Sequence, residues 1–402
     1  MEYLLPYGLE WANLLVRWLH VITGIAWIGA SFYFVWLDNS IRPPAPGSEL
    51  AKKGVSGELW AVHGGGFYNP QKYLVAPAEL PKELHWFKWE AYSTWLSGIA
   101  LLTIAYYFNA QAMMIDRSVA DISSLQAVGI GIGTLVVGWT VYDLLCRSPL
   151  GKHDLWFGVV IFALIVAAAY GLTHVLSGRA AYIHVGALIG TIMVGNVLML
   201  IIPGQRKMVE AMSAGRVPDP VHGQKAKQRS VHNNYFTLPV LFIMISNHYA
   251  MTYRNDRAWL VLAFIMAAGV FIRHFFNLRH KGRVEWRYPA IGVALLAGVA
   301  VAIAPSKPVA VAPAADPAAQ FASVKALIDT RCLSCHAAHP TQPGFAAAPL
   351  GVAFDTAAEI HQNAEKIYKQ VVQTRAMPLA NLTNMTDAER AQIAAWYEAG
   401  AK

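Results

Sequence analysis

Eight apolar stretches dominate the first three quarters of the chain, at about 11–37, 89–108, 125–146, 155–172, 181–203, 234–252, 257–277 and 288–304. Each approaches the ~20 residues that a helix needs to cross a ~30 Å hydrocarbon core. A backbone in lipid must satisfy its own hydrogen bonds, and helices are the solution open to stretches of this length. Only 14% of the 402 residues are charged, against about 25% in soluble domains, and those charges gather between the apolar stretches. Mean hydropathy is +0.36. Trp11, Trp18, Trp36, Trp89, Trp139, Trp156 and Trp259 fall mostly near the stretch ends, as an interfacial aromatic belt requires. The opening MEYLLPYGLE has no basic region of the kind that starts a cleaved leader.

The net charge of +8 belongs to this apolar part, because residues 305–402 carry eight Lys/Arg and eight Asp/Glu. Nucleic acid is therefore not the expected partner; a lipid bilayer is. With eight spans, both termini share a side. Connections 1–2, 3–4, 5–6 and 7–8 hold 18 Lys/Arg, and the others hold four. Basic loops stay in the cytoplasm, which predicts a multi-pass protein of the bacterial inner membrane with both termini on the periplasmic side. Arg206, Lys207, Arg216, Lys225, Lys227 and Arg229 of connection 5–6 are expected on a solvated cytoplasmic face.

Residues 305–320 are rich in Pro and Ala and read as a semi-extended linker. Beyond them, Cys332-Leu333-Ser334-Cys335-His336 has the C-x-x-C-H spacing of c-type haem attachment. Each thiol can add to a vinyl group, and the adjacent imidazole can ligate iron. A redox dithiol or half a zinc site is disfavoured by the following His and the lack of a second Cys pair. Of three cysteines, Cys146 stands apart and reads as packing. Met377, in Arg375-Ala376-Met377-Pro378, is the expected sixth ligand, with Met385 as the competitor; a thioether raises the potential relative to bis-His ligation. The fold class expected is all-α: a membrane domain over 1–304, the linker over 305–320, and a class I cytochrome c domain over 321–402.

Ionisable residues at membrane depth mark functional sites by default. Given the predicted orientation, Arg17, His20, His174, His184 and His248 lie toward the outer face. His85, Asp143, His232, Asn233, Asn234, Arg273 and His274 lie toward the inner one. Two histidine layers would suit haem b, with His20, His184, His248 and His274 as candidate ligands. His232-Asn233-Asn234-Tyr235, at the inner end of the sixth span, could hydrogen-bond and stack on a planar polar substrate, or could glue helices. Connection 1–2 carries His63-Gly64-Gly65-Gly66-Phe67-Tyr68, which suits a tight hairpin or a ligand loop and lacks the G-K-[ST] of a phosphate loop.

Taken together, Trp18-Leu19-His20-Val21 with Trp27-Ile28-Gly29, the His63–Tyr68 run, His232–Tyr235 leading to Ser246-Asn247-His248, and the C-terminal C-x-x-C-H resemble the membrane-bound, cytochrome-c-linked urate oxidases, or urate hydroxylases. The resemblance covers essentially the whole chain. It implies oxidation of urate to 5-hydroxyisourate in purine catabolism, with electrons leaving to a respiratory-chain acceptor such as cytochrome c or a terminal oxidase. The substrate is a monoanion near neutral pH, so a basic cytoplasmic entrance would attract it. A site there would need a carrier across the membrane to reach the c haem, which is the reason to consider haem b. His63 and His232–Tyr235 are the candidate catalytic residues on physical grounds. Other classes remain open: a non-enzymatic, quinol-linked electron-transfer subunit, or a transporter with a redox sensor.

Overall fold

A computed structural model describes residues 4–304, 316–343, 345 and 347–401. The first helix, α1 (Leu4–Ser40), is longer than its apolar stretch. There follow α2 (Trp89–Leu102), α3 (Ser124–Arg147), α4 (Asp154–Thr173) and α5 (Gly178–Gly195). A π-helical turn, Asn196–Ile201, joins α5 to α6 (Ile202–Ser213). The bundle is completed by α7 (Pro220–Ile245), α8 (Ala258–His280) and α9 (Arg287–Ala302).

Among the described residues, five helical stretches are long and apolar enough to cross a membrane: Tyr7–Ser40, Ser124–Arg147, Asp154–Thr173, Gly178–Ser213 and Ala258–His280. The other three expected spans are helical too, but α2 and α9 are short, and α7 is polar through its first half. The bundle is therefore an all-α body suited to a membrane. The α1 stretch buries none of its apolar window against protein, and Trp18, Leu19, Ile22 and Ile25 point outward. In lipid such a face is at no disadvantage.

α5 sits at the centre, packed against α2, α3, α4 and α7. Small residues permit that crowding. A Cβ on Gly186 would stand 2.5 Å from Ile243 Cγ2, and one on Gly195 would stand 2.5 Å from the Trp139 ring.

Three expectations need correction. Residues 38–88 form two small antiparallel ladders, so the chain is not purely helical. β1 (Val55–Glu58) pairs with β4 (Gln71–Tyr73), and β2 (Ala61–His63) with β3 (Gly66–Tyr68). Gly64 and Gly65 both take positive φ at the hairpin turn, the requirement of a tight two-residue connection. Connection 5–6 is mostly helical; Arg206, Lys207, Arg216, Lys225 and Lys227 are exposed on it as expected, but Arg229 is buried. Asp219 caps α7 by accepting the Val221 N–H at 2.9 Å, with Pro220 at the first position, so the helix starts well before its apolar half. The linker also ends early: Asp316 caps α10 (Pro317–Arg331), four residues inside the expected 305–320. Residues 305–315 lie outside the described residues.

The C-terminal domain has its own core. Val324 and Ile328 of α10 meet Phe354, Ile360, Ile367, Val371, Met385, Ile393 and Trp396. Thr356 opens α11 (Ala357–Gln362) and Thr386 opens α12 (Asp387–Glu398), each through a reciprocal capping box with a Glu three residues on. Arg331 ties α10 to α12 through Glu389 at 2.9 Å.

Candidate functional site

The four consecutive candidates on α7 do not form one site. Successive helical residues turn by about 100°, so neighbours address different helices. His232 Nδ1 lies 2.8 Å from the Tyr142 hydroxyl, and its ring stacks on Phe157 with centroids 4.6 Å apart. Asn233 accepts from Asn196 at 2.8 Å and donates to the Met193 carbonyl at 3.0 Å. Asn234 instead accepts from Arg273 Nε of α8. The Tyr235 hydroxyl lies 2.7 Å from His274 Nδ1. His63 is exposed beside the hairpin turn, and no hydrogen bond joins it to these residues.

Two clusters result. The first adds residues that sequence reasoning left out or misplaced. Arg229, assigned to a solvated face, is only 3% exposed; it pairs with Asp143 at 2.7 Å and donates to Asn196 Oδ1 at 3.0 Å. The signal for Asn196 was present: a lone amide in an otherwise apolar run. The second cluster leaves buried polar atoms without partners among the described residues, at Arg273 Nη2, Asn277 Oδ1 and His280 Nδ1. The Arg273 guanidinium lies over the Phe32 ring, 4.1 Å from its centroid.

The candidate histidines divide by how their ring nitrogens are used. His20 Nδ1 contacts the Thr94 carbonyl at 3.0 Å and Ser97 Oγ at 3.1 Å. His184 is fully buried and uses both nitrogens, Nδ1 with the Ala180 carbonyl at 2.8 Å and Nε2 with the Tyr107 hydroxyl at 3.3 Å. His274 uses Nδ1 alone, and His248 lies exposed in a short turn after α7.

In the C-terminal domain, α10 ends at Cys332 and a tight turn carries Cys335 and His336. His336 Nδ1 donates to the Val352 carbonyl at 2.8 Å, and its ring stacks on Phe354. A carbonyl partner fixes the proton on Nδ1 and leaves Nε2 with its lone pair free. Neither cysteine forms a disulfide among the described residues. Burial pushes the Cys332 thiol up to about 12 and raises that of Cys335 as well. A redox dithiol requires the opposite, a depressed thiol.

The loop through Met377 is held from two sides. Arg390 of α12, buried, donates to the Met377 carbonyl at 2.8 Å and to the Val371 carbonyl. Arg254, between α7 and α8 of the bundle, donates to the Pro378 carbonyl at 3.0 Å. Burial lowers the pKa of both arginines, that of Arg390 to about 10, and their mutual repulsion adds to the shift at Arg390. Ala376 belongs to the apolar core of the bundle. Met385 is buried inside the C-terminal domain, just before the Thr386 cap.

Between the two domains lies a cavity of about 630 Å³. The bundle contributes Asp116, Arg179, Tyr253 and Arg254, and the C-terminal domain contributes Arg375, Asn381, Met385 and Arg390.

A family model described as Urate oxidase N-terminal matches residues 6–304. No curated protein and no solved structure matches the chain.

Proposed function

Because the chain belongs to the urate oxidase N-terminal family over residues 6–304, we propose that it oxidises urate to 5-hydroxyisourate and passes the electrons to a c haem held by its C-terminal domain. Family membership points to an oxidoreductase of urate metabolism. The haem, the periplasmic placement of both termini and a respiratory-chain acceptor are the further content of the proposal.

The single observation that carries the electron route is His336. Its Nδ1 is spent on Val352, so the ring is oriented and Nε2 is left for a metal, the arrangement that fixes ligating imidazoles generally. Cys332 and Cys335 would hold the haem covalently, and Met377 would supply a thioether ligand from a loop that Arg390 grips. Bound there, the haem accepts electrons one at a time. Among the described residues no three His, Cys, Asp or Glu cluster as a metal site, whereas haem iron would need only one imidazole from this set, with the thioether coming from Met377.

The reaction balances without molecular oxygen as the oxidant. Urate loses two electrons, a water oxygen adds at C5, and two protons are released. An additional haem b would draw on His20 or His274, which keep Nε2 free, rather than on His184, which spends both nitrogens within the bundle.

The test is an anaerobic reduced-minus-oxidised spectrum of detergent-purified protein with pyridine haemochrome analysis. Reduction of a c-type haem on adding urate is expected. Reduction by a quinol but not by urate would replace the proposal with an electron-transfer subunit.

A further inference from the structure

Resting on that proposed reaction, we infer that the cavity between the bundle and the C-terminal domain is the urate-binding site, and that it takes a planar organic monoanion bearing both N–H and carbonyl edges. Its lining sets four arginines (Arg179, Arg254, Arg375 and Arg390) against three aspartates (Asp116, Asp256 and Asp387), leaving one net positive charge. Carboxylates alone would repel urate and arginines alone would ignore its N–H groups. The mixture offers donors to the carbonyl oxygens and acceptors to the N–H edges, with net charge opposite to that of the ligand.

The groups are not all spent on one another. Asp116 Oδ1 takes bonds from the Ser118 N–H at 3.0 Å and the Ser118 hydroxyl at 2.5 Å, and its Oδ2 makes no hydrogen bond among the described residues. Asp116 is 9% exposed as a residue and lines the cavity, so Oδ2 is an acceptor open to a ligand there. Arg179 is held through one amino group, which donates to the Tyr253 hydroxyl at 3.0 Å, and by lying over the same ring; its remaining N–H groups make no hydrogen bond among the described residues. At about 630 Å³ the space is of the size of ordinary small-molecule sites.

Position argues most strongly. Arg254 and Arg390 line this cavity, and the same two side chains hold the Met377 loop through adjacent carbonyls, one from each domain. Cys332, Cys335 and His336 do not line it, so the cavity adjoins the redox segment without being that segment. Substrate here and haem in the C-terminal domain lie on one face of the membrane body. No carrier across the bilayer is then needed, and the inner-facing polar clusters become structural.

Sealed vesicles of known orientation carrying the full-length protein decide this. Urate is added first to the compartment that holds the C-terminal domain, then to the opposite one, and finally after detergent lysis. Reduction of the c haem from the first compartment without lysis is the expected result. Reduction only from the opposite compartment would overturn the site and leave the reaction standing, with the Arg273 cluster as the place to look. No reduction even after lysis would overturn the reaction itself. In addition, Arg179→Gln should raise KM for urate by roughly tenfold to a hundredfold, the effect of losing a bond to a charged group, with haem content and midpoint potential unchanged. An unaltered KM would overturn the site as drawn.

Discussion

Arg254 of the bundle donates to the carbonyl of Pro378, 3.0 Å away in the other domain, so the loop bearing Met377 is anchored from outside its own fold. Arg254→Ala is expected to slow urate-driven haem reduction roughly tenfold or more, since a buried bond to a cationic donor contributes about 1.5–3 kcal/mol. Stopped-flow reduction at saturating urate checks this. The c-haem spectrum of the isolated variant should stay intact, because Arg390 still holds Met377 from within.

Met377 and Met385 are separable by substitution. Met377→Ala is expected to abolish the sulfur–iron absorption band and to lower the midpoint potential by on the order of 100 mV, a fraction of the ~0.8 V that axial ligands command. Met385→Leu should leave both unchanged and cost less than about 1.5 kcal/mol of stability, as its side chain is buried in the domain core. A lost band in Met385→Leu would reverse the assignment.

Thiol counting tests the attachment. The chain has three cysteines, and haem attachment consumes two. Unfolded, mature protein should react with a thiol reagent only at Cys146, as read by mass spectrometry of the labelled peptide. Labelling at Cys332 and Cys335 would show that no covalent group is held there.

Glu389 gives the C-terminal domain a defined pH response. Burial alone would raise its pKa, but the Thr386 N–H at 2.6 Å and Arg331 at 2.9 Å outweigh that and hold it below the usual range. A lowered folded pKa contributes stability above the unfolded value, about 4.3, and loses it as pH falls through the folded one. Glu389→Gln should therefore destabilise the domain at pH 7 by about 1 kcal/mol or less, given solvent screening. The gap to wild type should close as pH falls below ~4. Thermal melts of the haem absorbance across that range check the sign.

Removing Arg229 should be far more damaging. The side chain is buried and pairs with Asp143 at 2.7 Å; Arg147 stays on the other carboxylate oxygen at 2.6 Å, so Arg229→Ala should cost about 1.5–3 kcal/mol, the range for lost bonds to charged groups. Thermal unfolding in detergent reads this. Arg229→Ala with Asp143→Asn together should recover part of the loss.

Much of this architecture was legible because its causes are local. Length and apolarity placed the helices, and C-x-x-C-H placed Cys332, Cys335 and His336 side by side on one turn. Arg229 shows where local reasoning stops. In sequence it is one more cation in a basic connection; in the fold, a helix that begins at Pro220 carries it inward to Asp143, which lies 86 positions away. His232 to Tyr235 failed as a group for a related reason, since adjacency along a helix disperses side chains around it. The interdomain cavity had no signature at all, because Arg179, Arg254 and Arg390 come from three distant stretches of the chain and are brought together only by docking.

Ala376 seated in the apolar core of the bundle would make the proposed relay a fixed wire rather than a swinging arm. On that proposal a domain wedged in this way would not travel to meet an acceptor, and the acceptor would come to the face turned away from the bundle. Extra residues inserted between Ala304 and Asp316 would then delay assembly while leaving the turnover of assembled protein unchanged.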